Sequence, residues 1–141
     1  MIAELSNHLA ESLLAKAAIE APHEACGLLL GAVIGDMVTV EDVVYSENMT
    51  NGDPRTAFEI DPSLHLLLQK AARAGGSSII GVWHSHPTSS ARPSQQDARR
   101  SLEKGWLWLI TGREQDVWKT HAFFAGETDA KVFESLQIQA V

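Results

Sequence analysis

The chain has 141 residues, 45% of them hydrophobic and 21% charged, a composition that supports one globular core. Eighteen acidic against eleven basic residues leave a net charge of −7, so a surface that tracks nucleic-acid phosphates is not expected. The length excludes a TIM barrel, which needs about 200 residues or more. The single cysteine, Cys26, excludes an internal disulfide and a cysteine-built zinc cage.

One domain over residues 1–141 is the expectation, because no repeat, low-complexity tract or linker interrupts the chain. The first residues, MIAELSNHLA, have no basic n-region and carry Glu4 where an apolar run would stand, so no signal peptide is expected. The stretch from Ala25 to Gly35 is the longest uncharged apolar run, far short of the ~20 residues that span a bilayer. A cytoplasmic protein without membrane contact is the expectation.

Leu5, Leu9 and Leu13 recur at helical spacing after a plausible N-cap at Ser6, which predicts a helix over Asn7 to Glu20 stopped by Pro22. Cys26 to Ile34 and Met37 to Tyr45 are apolar runs joined at Gly35-Asp36, a hairpin signature. The polar stretch Ser46 to Thr56 reads as a loop, and Phe58 to Ile60 as a short strand. Asp61-Pro62 then supplies an N-cap and an N1 proline for a helix to about Ala74. Strands follow at Ser78 to Trp83, Trp106 to Ile110, Val117 to Ala125 and Lys131 to Ile138, with a helix from Ser94 to Glu103 among them. The expected fold class is α+β: an α/β/α sandwich with a mostly antiparallel mixed sheet flanked by about three helices.

The chemistry concentrates at His84-Ser85-His86-Pro87, directly after the strand ending at Trp83. Residues i and i+2 of an extended segment face the same way, so both imidazoles can converge on one point. Pro87 keeps His86 extended. Asp97 stands eleven residues after His86, in the first turn of the next helix. Two histidines and one carboxylate form the three-ligand set of a catalytic zinc that leaves its fourth position to water. The plainer readings compete: a His-x-His pair alone is common at strand ends, and Ser94 with Asp97 also makes a capping box. Glu24 alone reads as a surface carboxylate opening a strand, and Cys26 as a small buried residue.

The whole pattern, His84-x-His86-x(7)-Ser94-x(2)-Asp97 with a distant Glu24 in PHEACGLLLG, resembles the JAMM (MPN+) metallopeptidase family. Glu47-Asn48, Phe58-Glu59-Ile60-Asp61-Pro62 and Gly81-Val82-Trp83 before HSHP also look like its compact prokaryotic members, over roughly residues 20 to 112. The resemblance implies an MPN/cytidine-deaminase-like fold and one zinc ion per chain, bound by His84, His86 and Asp97. It implies that Glu24 is the general base and that Ser94 donates to the oxyanion. It further implies cleavage of peptide or isopeptide bonds after a C-terminal Gly-Gly of a ubiquitin-like or β-grasp sulfur-carrier protein. Such a tail can pair with a strand edge, where glycine lets the backbone approach the metal. Asn48 and the Ser46–Phe58 loop could shape the groove for it.

Two other readings stand beside this one: a non-catalytic scaffold module, as in the family's metal-free branch, and a metallopeptidase of small peptides. Deaminase and zincin sites fail on residues, since neither Pro-Cys-x-x-Cys nor His-Glu-x-x-His occurs.

Overall fold

The computed structural model describes residues 1–141. Ile2–Leu5 form a strand, β1, just before helix α1, Asn7–Glu20. The helix starts where Ser6 Oγ accepts the Leu9 N–H at 3.1 Å, and it buries Leu13 and Ala17. Strands β2, Cys26–Ile34, and β3, Met37–Ser46, pair antiparallel through a turn in which Gly35 takes φ +59°, the left-handed conformation open to glycine. Helix α2, Pro62–Arg73, begins with Asp61 accepting the Ser63 N–H at 2.9 Å. Phe58 to Ile60 does not form a strand of its own; Ile60 makes only an isolated bridge to Asn48.

Strand β4, Ser78–His86, runs through both histidines of the HSHP segment. Helix α3 is short, Gln95–Arg100, because Ser101 turns to extended backbone and its hydroxyl donates to Ala130 O. Strands β5, Leu107–Glu114, and β6, Val117–Ala125, form a second hairpin, and β7 covers Phe133–Ala140. The strand β5 outlasts its apolar run. Its Thr111 is buried, but its hydroxyl meets Trp83 Nε1 at 2.9 Å and Thr120 Oγ1 at 2.7 Å, so burial leaves no polar atom orphaned there.

The expected α/β/α sandwich is not what these elements build. The seven strands close into a barrel in the order β1-β3-β2-β4-β5-β6-β7, with three helices around it. Strand β1 is the reason. It pairs parallel with Met37–Thr39 of β3 on one side and with Gln137–Ala140 of β7 on the other, joining edges that would otherwise stay open. Helix α2 buries no residue completely and α3 has six residues, so neither makes a layer. No helix is long and apolar enough to cross a membrane.

Two apolar clusters line the two faces of the strands. One gathers Leu13 and Ala17 of α1 with Leu29, Val38, Trp83, Leu107 and Leu109. The other holds Cys26, Phe58, Val82, Trp108, Ile110 and Phe123. Alternation along β4 sends Trp83 to the first cluster and His84 to the second, where the imidazole stacks on Phe58 with centroids 4.3 Å apart and meets the edge of Trp108. The first core is therefore built without the HSHP side chains.

Candidate metal centre

Neighbouring strands bring the chemistry-bearing residues to one end of the barrel. His84 pairs with Cys26 of β2 and Ile110 of β5 in the strand register. Glu24 lies two residues before Cys26, and α3 carries Asp97. His84 Nε2 and His86 Nε2 are 3.0 Å apart, and Asp97 Oδ2 is 3.1 Å from the first and 3.2 Å from the second. All three side chains are buried. Each imidazole nitrogen carries at most one hydrogen or one lone pair, so no arrangement of protons turns all three edges of this triangle into hydrogen bonds. A cation accepting three lone pairs satisfies them together. Ligands at the ~2.0–2.1 Å of a tetrahedral zinc stand about 3.3 Å apart, close to the edges observed.

A backbone contact supports the same donor set. His86 Nδ1 donates to Ser90 O at 2.8 Å, which leaves the Nε2 lone pair of the neutral ring free to coordinate. Ser90 is held there by a close approach at Gly112, where a Cβ would come within 2.6 Å of Ser90 C and 2.7 Å of Ser89 O. Gly112→Ala should push this loop away from β5 and release His86. Loss of such an outer contact costs about 10–100-fold in metal affinity, read by competition titration with a zinc chelator. Wild-type affinity in that variant would show that Ser90 does not orient the ring.

Glu24 offers a further carboxylate, with an oxygen within 4.8 Å of donor atoms on both histidines, so Glu24, His84 and His86 also form a group able to hold a metal ion. Two buried polar atoms here, Glu24 Oε1 and His84 Nδ1, have no hydrogen-bond partner. Burial pushes the Glu24 carboxyl up to about 8, against the pull of His86. Burial also opposes ionisation of Asp97, but the two imidazoles and the Ser94 N–H outweigh it and hold that carboxyl below the usual range. His84 is lowered by burial despite Asp97. For His86 burial is outweighed by its bonds to Asp97 and Ser90, and its pKa is raised. A cation in the cluster opposes the burial of Glu24 and favours its charged form.

In the metal-free protein Glu24 should therefore contribute a loss of stability as pH rises. Between the ordinary 4.5 and about 8, the native state keeps a Glu24 proton that the unfolded chain has released, so unfolding becomes easier across that window. Urea midpoints of chelated protein at pH 5 and pH 8 should diverge more for wild type than for Glu24→Gln. Equal divergence would refute the burial of a protonated Glu24.

Ser94 N-caps α3, with its hydroxyl accepting the Asp97 N–H at 3.0 Å while Asp97 Oδ2 accepts the Ser94 N–H at 2.9 Å. The capping box is real. It leaves the Ser94 hydroxyl hydrogen free to donate, and Ser94 lines a cleft of about 280 Å³ with Glu24, Arg55, Thr56, His86 and Thr88. Apart from the Pro87 ring, its lining residues are polar. A second, more apolar cavity of about 440 Å³ lies between Phe58, Ile60, His65, Trp106 and Trp108. Cys26 is buried, its thiol pushed up to about 12 by that burial and set 3.8 Å from Ser46 O and Glu47 O. It packs in the second core cluster. Ser90 and Gly112 do not stand out in the sequence. The first acts through a main-chain carbonyl, which no residue type announces, and the second through the space it leaves.

A family model described as prokaryotic homologs of the JAB domain matches residues 6–124. A desampylase from Haloferax volcanii is 34% identical over 94 residues, 67% of this chain and 66% of that protein. A Thermus thermophilus protein named "Probable TtuB-protein conjugate cleaving protease" is 35% identical over 82 residues, 58% of this chain and 51% of that protein. The matched stretch spans just under two thirds of the first relative and about half of the second. Among solved structures, a Desulfitobacterium hafniense protein superimposes with a TM-score of 0.82 at 31% identity, over 100% of this chain and 93% of that one. A Salinibacter ruber protein superimposes with a TM-score of 0.70 at 23% identity, over 100% of this chain and 92% of that one, a likeness of fold alone.

Proposed function

Because the chain belongs to the family of prokaryotic homologs of the JAB domain, we propose that it is a zinc-dependent hydrolase of ubiquitin-like or sulfur-carrier protein conjugates. The observation that carries this reading is the triangle of His84 Nε2, His86 Nε2 and Asp97 Oδ2, with edges of 3.0–3.2 Å, beside the unpartnered Glu24 Oε1. These three donors would bind one zinc per chain. Bound there, zinc supplies a Lewis acid that ionises water near neutral pH.

The side chains of the cleft divide the remaining work. Glu24 accepts a proton from the attacking water and delivers it to the leaving amine. Water oxygen bonds to the carbonyl carbon of the tail, the carbon–nitrogen bond breaks, and a carboxylate and a free amine leave. Ser94 donates its hydroxyl to the carbonyl oxygen as negative charge grows on it. Arg55, Thr56 and Thr88 offer polar partners to an extended peptide backbone. A Gly-Gly tail presents little besides such peptide groups, which suits a cleft lined mostly by polar residues.

The relative named for cleaving TtuB-protein conjugates supports a conjugate as the substrate. A scaffold role is disfavoured because the complete donor set and the general-base candidate are present and converge. The lone free Cys26 fits a reducing cytoplasm.

Gly-Gly selectivity is tested with a β-grasp carrier extended by a few residues after Gly-Gly, beside an Ala-Ala version. The zinc-loaded protein should cleave the first directly after the second glycine and leave the second largely intact. Equal rates on both would reject the selectivity.

A further inference from the structure

Glu24 sits outside every helix and strand, yet a general base must be held to a fraction of an ångström. What holds it comes largely from the loop between β3 and α2. The Glu24 N–H donates to Pro54 O at 2.7 Å, and the Glu24 carbonyl accepts from Asn48 Nδ2 at 3.2 Å. The next N–H, of Ala25, donates to Ser85 Oγ at 2.8 Å. Glu24 Oε1 itself has no partner, so no bond to that atom corrects an error in the backbone beneath it.

Asn48 is the hub of this arrangement. Its second donor bond runs to Ala57 O at 2.9 Å, and its Oδ1 accepts the N–H groups of Thr50 at 3.2 Å and Glu59 at 3.1 Å. A side-chain amide has two donor hydrogens and two acceptor lone pairs, and all four are used. Turning the amide over would face its oxygen to two carbonyls, so the assignment of its ends is fixed by its surroundings. The loop it gathers also carries Arg55 and Thr56, which line the cleft together with His86 and Ser94. One amide thus ties the wall of the cleft to the backbone of the base.

We infer that Asn48 is a positioning residue that acts through Glu24, setting the place of its carboxylate at the metal centre and coupling it to the loop that meets the substrate. The inference rests on Glu24 as the proton carrier, and its test separates the two. Misplacement of a catalytic group by about 1 Å costs on the order of 10²-fold in rate. Asn48→Ala should therefore lower kcat by about that factor, with zinc content little changed. In a Glu24→Gln background the same change should cost almost nothing more, because residues acting as a unit are not additive. Asn48→Gln serves where the alanine variant folds poorly: it keeps the amide's donors and acceptors but carries them one methylene further out, displacing the bond to the Glu24 carbonyl.

A second readout does not depend on turnover. The visible spectrum of the cobalt-substituted protein should change on Asn48→Ala in the direction it changes on Glu24→Gln, with no further change in the double variant. Two outcomes overturn the inference: an Asn48 variant that loses only thermal stability, or equal losses of kcat in both backgrounds. Wild-type protein inactive on every carrier conjugate would instead defeat the reading of function. The cobalt spectra would still decide the role of Asn48.

Discussion

A His84→Ala/His86→Ala double variant will purify almost free of zinc under conditions in which the wild-type protein carries about one ion per chain. The reason is geometric. The two Nε2 atoms stand 3.0 Å apart, and without them only two buried carboxylates remain at the centre. Asp97 would lose both imidazole partners and keep only its contacts with Ser94. Conjugate cleavage should disappear with the metal. The fold should persist in the wild-type protein after chelation, since the first core cluster contains none of the HSHP histidines. The double variant itself will be weaker. It removes a ring packed on Phe58 and Trp108, and emptying such a site costs on the order of 2–5 kcal/mol. Full zinc content in that variant, by elemental analysis, would sink the ligand assignment.

Glu24→Gln will separate binding from turnover. The His84–His86–Asp97 triangle is untouched, so zinc stoichiometry and the native fold should remain. The amide cannot accept and release a proton as the carboxylate does, and loss of a general acid–base group costs about 10²–10⁴-fold in rate. Ser94→Ala gives a smaller version of the same contrast. Loss of its oxyanion contact should cost roughly 10²-fold or more in kcat, while loss of its cap on α3 costs about 1 kcal/mol of stability. A Ser94→Ala protein that is only less stable would leave Ser94 as a cap alone. A Glu24→Gln protein that turns over at the wild-type rate would remove Glu24 from the reaction.

Most residues of the candidate metal centre can be picked out in the chain because its parts are local. His84 and His86 share a strand face through the two-residue repeat, and Asp97 announces itself through the capping box with Ser94. Helix α1 and the β2–β3 hairpin are legible for the same reason, with Ser6 as a cap and Gly35 as a turn. Barrel closure is not local. Ile2 pairs with Met37 on one side and Gln137 on the other, and Leu5, a residue of β1, also fits the leucine spacing of the helix that follows. Strand β5 looks shorter in sequence than it is, because Thr111, Gly112 and Arg113 break the apolar run. Its length depends on Thr111 meeting Trp83 and Thr120 across the fold. Asn48 was visible as a loop asparagine, but its four bonds reach Glu24, Thr50, Ala57 and Glu59, and only folding brings those groups around one amide.

The proposed function requires this centre to hydrolyse the bond between a carrier tail and an amine with the help of a bound metal. The most direct measurement joins a β-grasp carrier through its terminal Gly-Gly to a lysine side chain of an acceptor protein, and follows the products by intact mass. Zinc-loaded protein should return the carrier with a Gly-Gly carboxylate and the acceptor with a free lysine. Chelation should stop the reaction, and added zinc should restore it. Cleavage that continues after chelation, or proceeds equally with the His84→Ala/His86→Ala variant, would contradict the account, as would an intact conjugate after prolonged exposure to zinc-loaded protein.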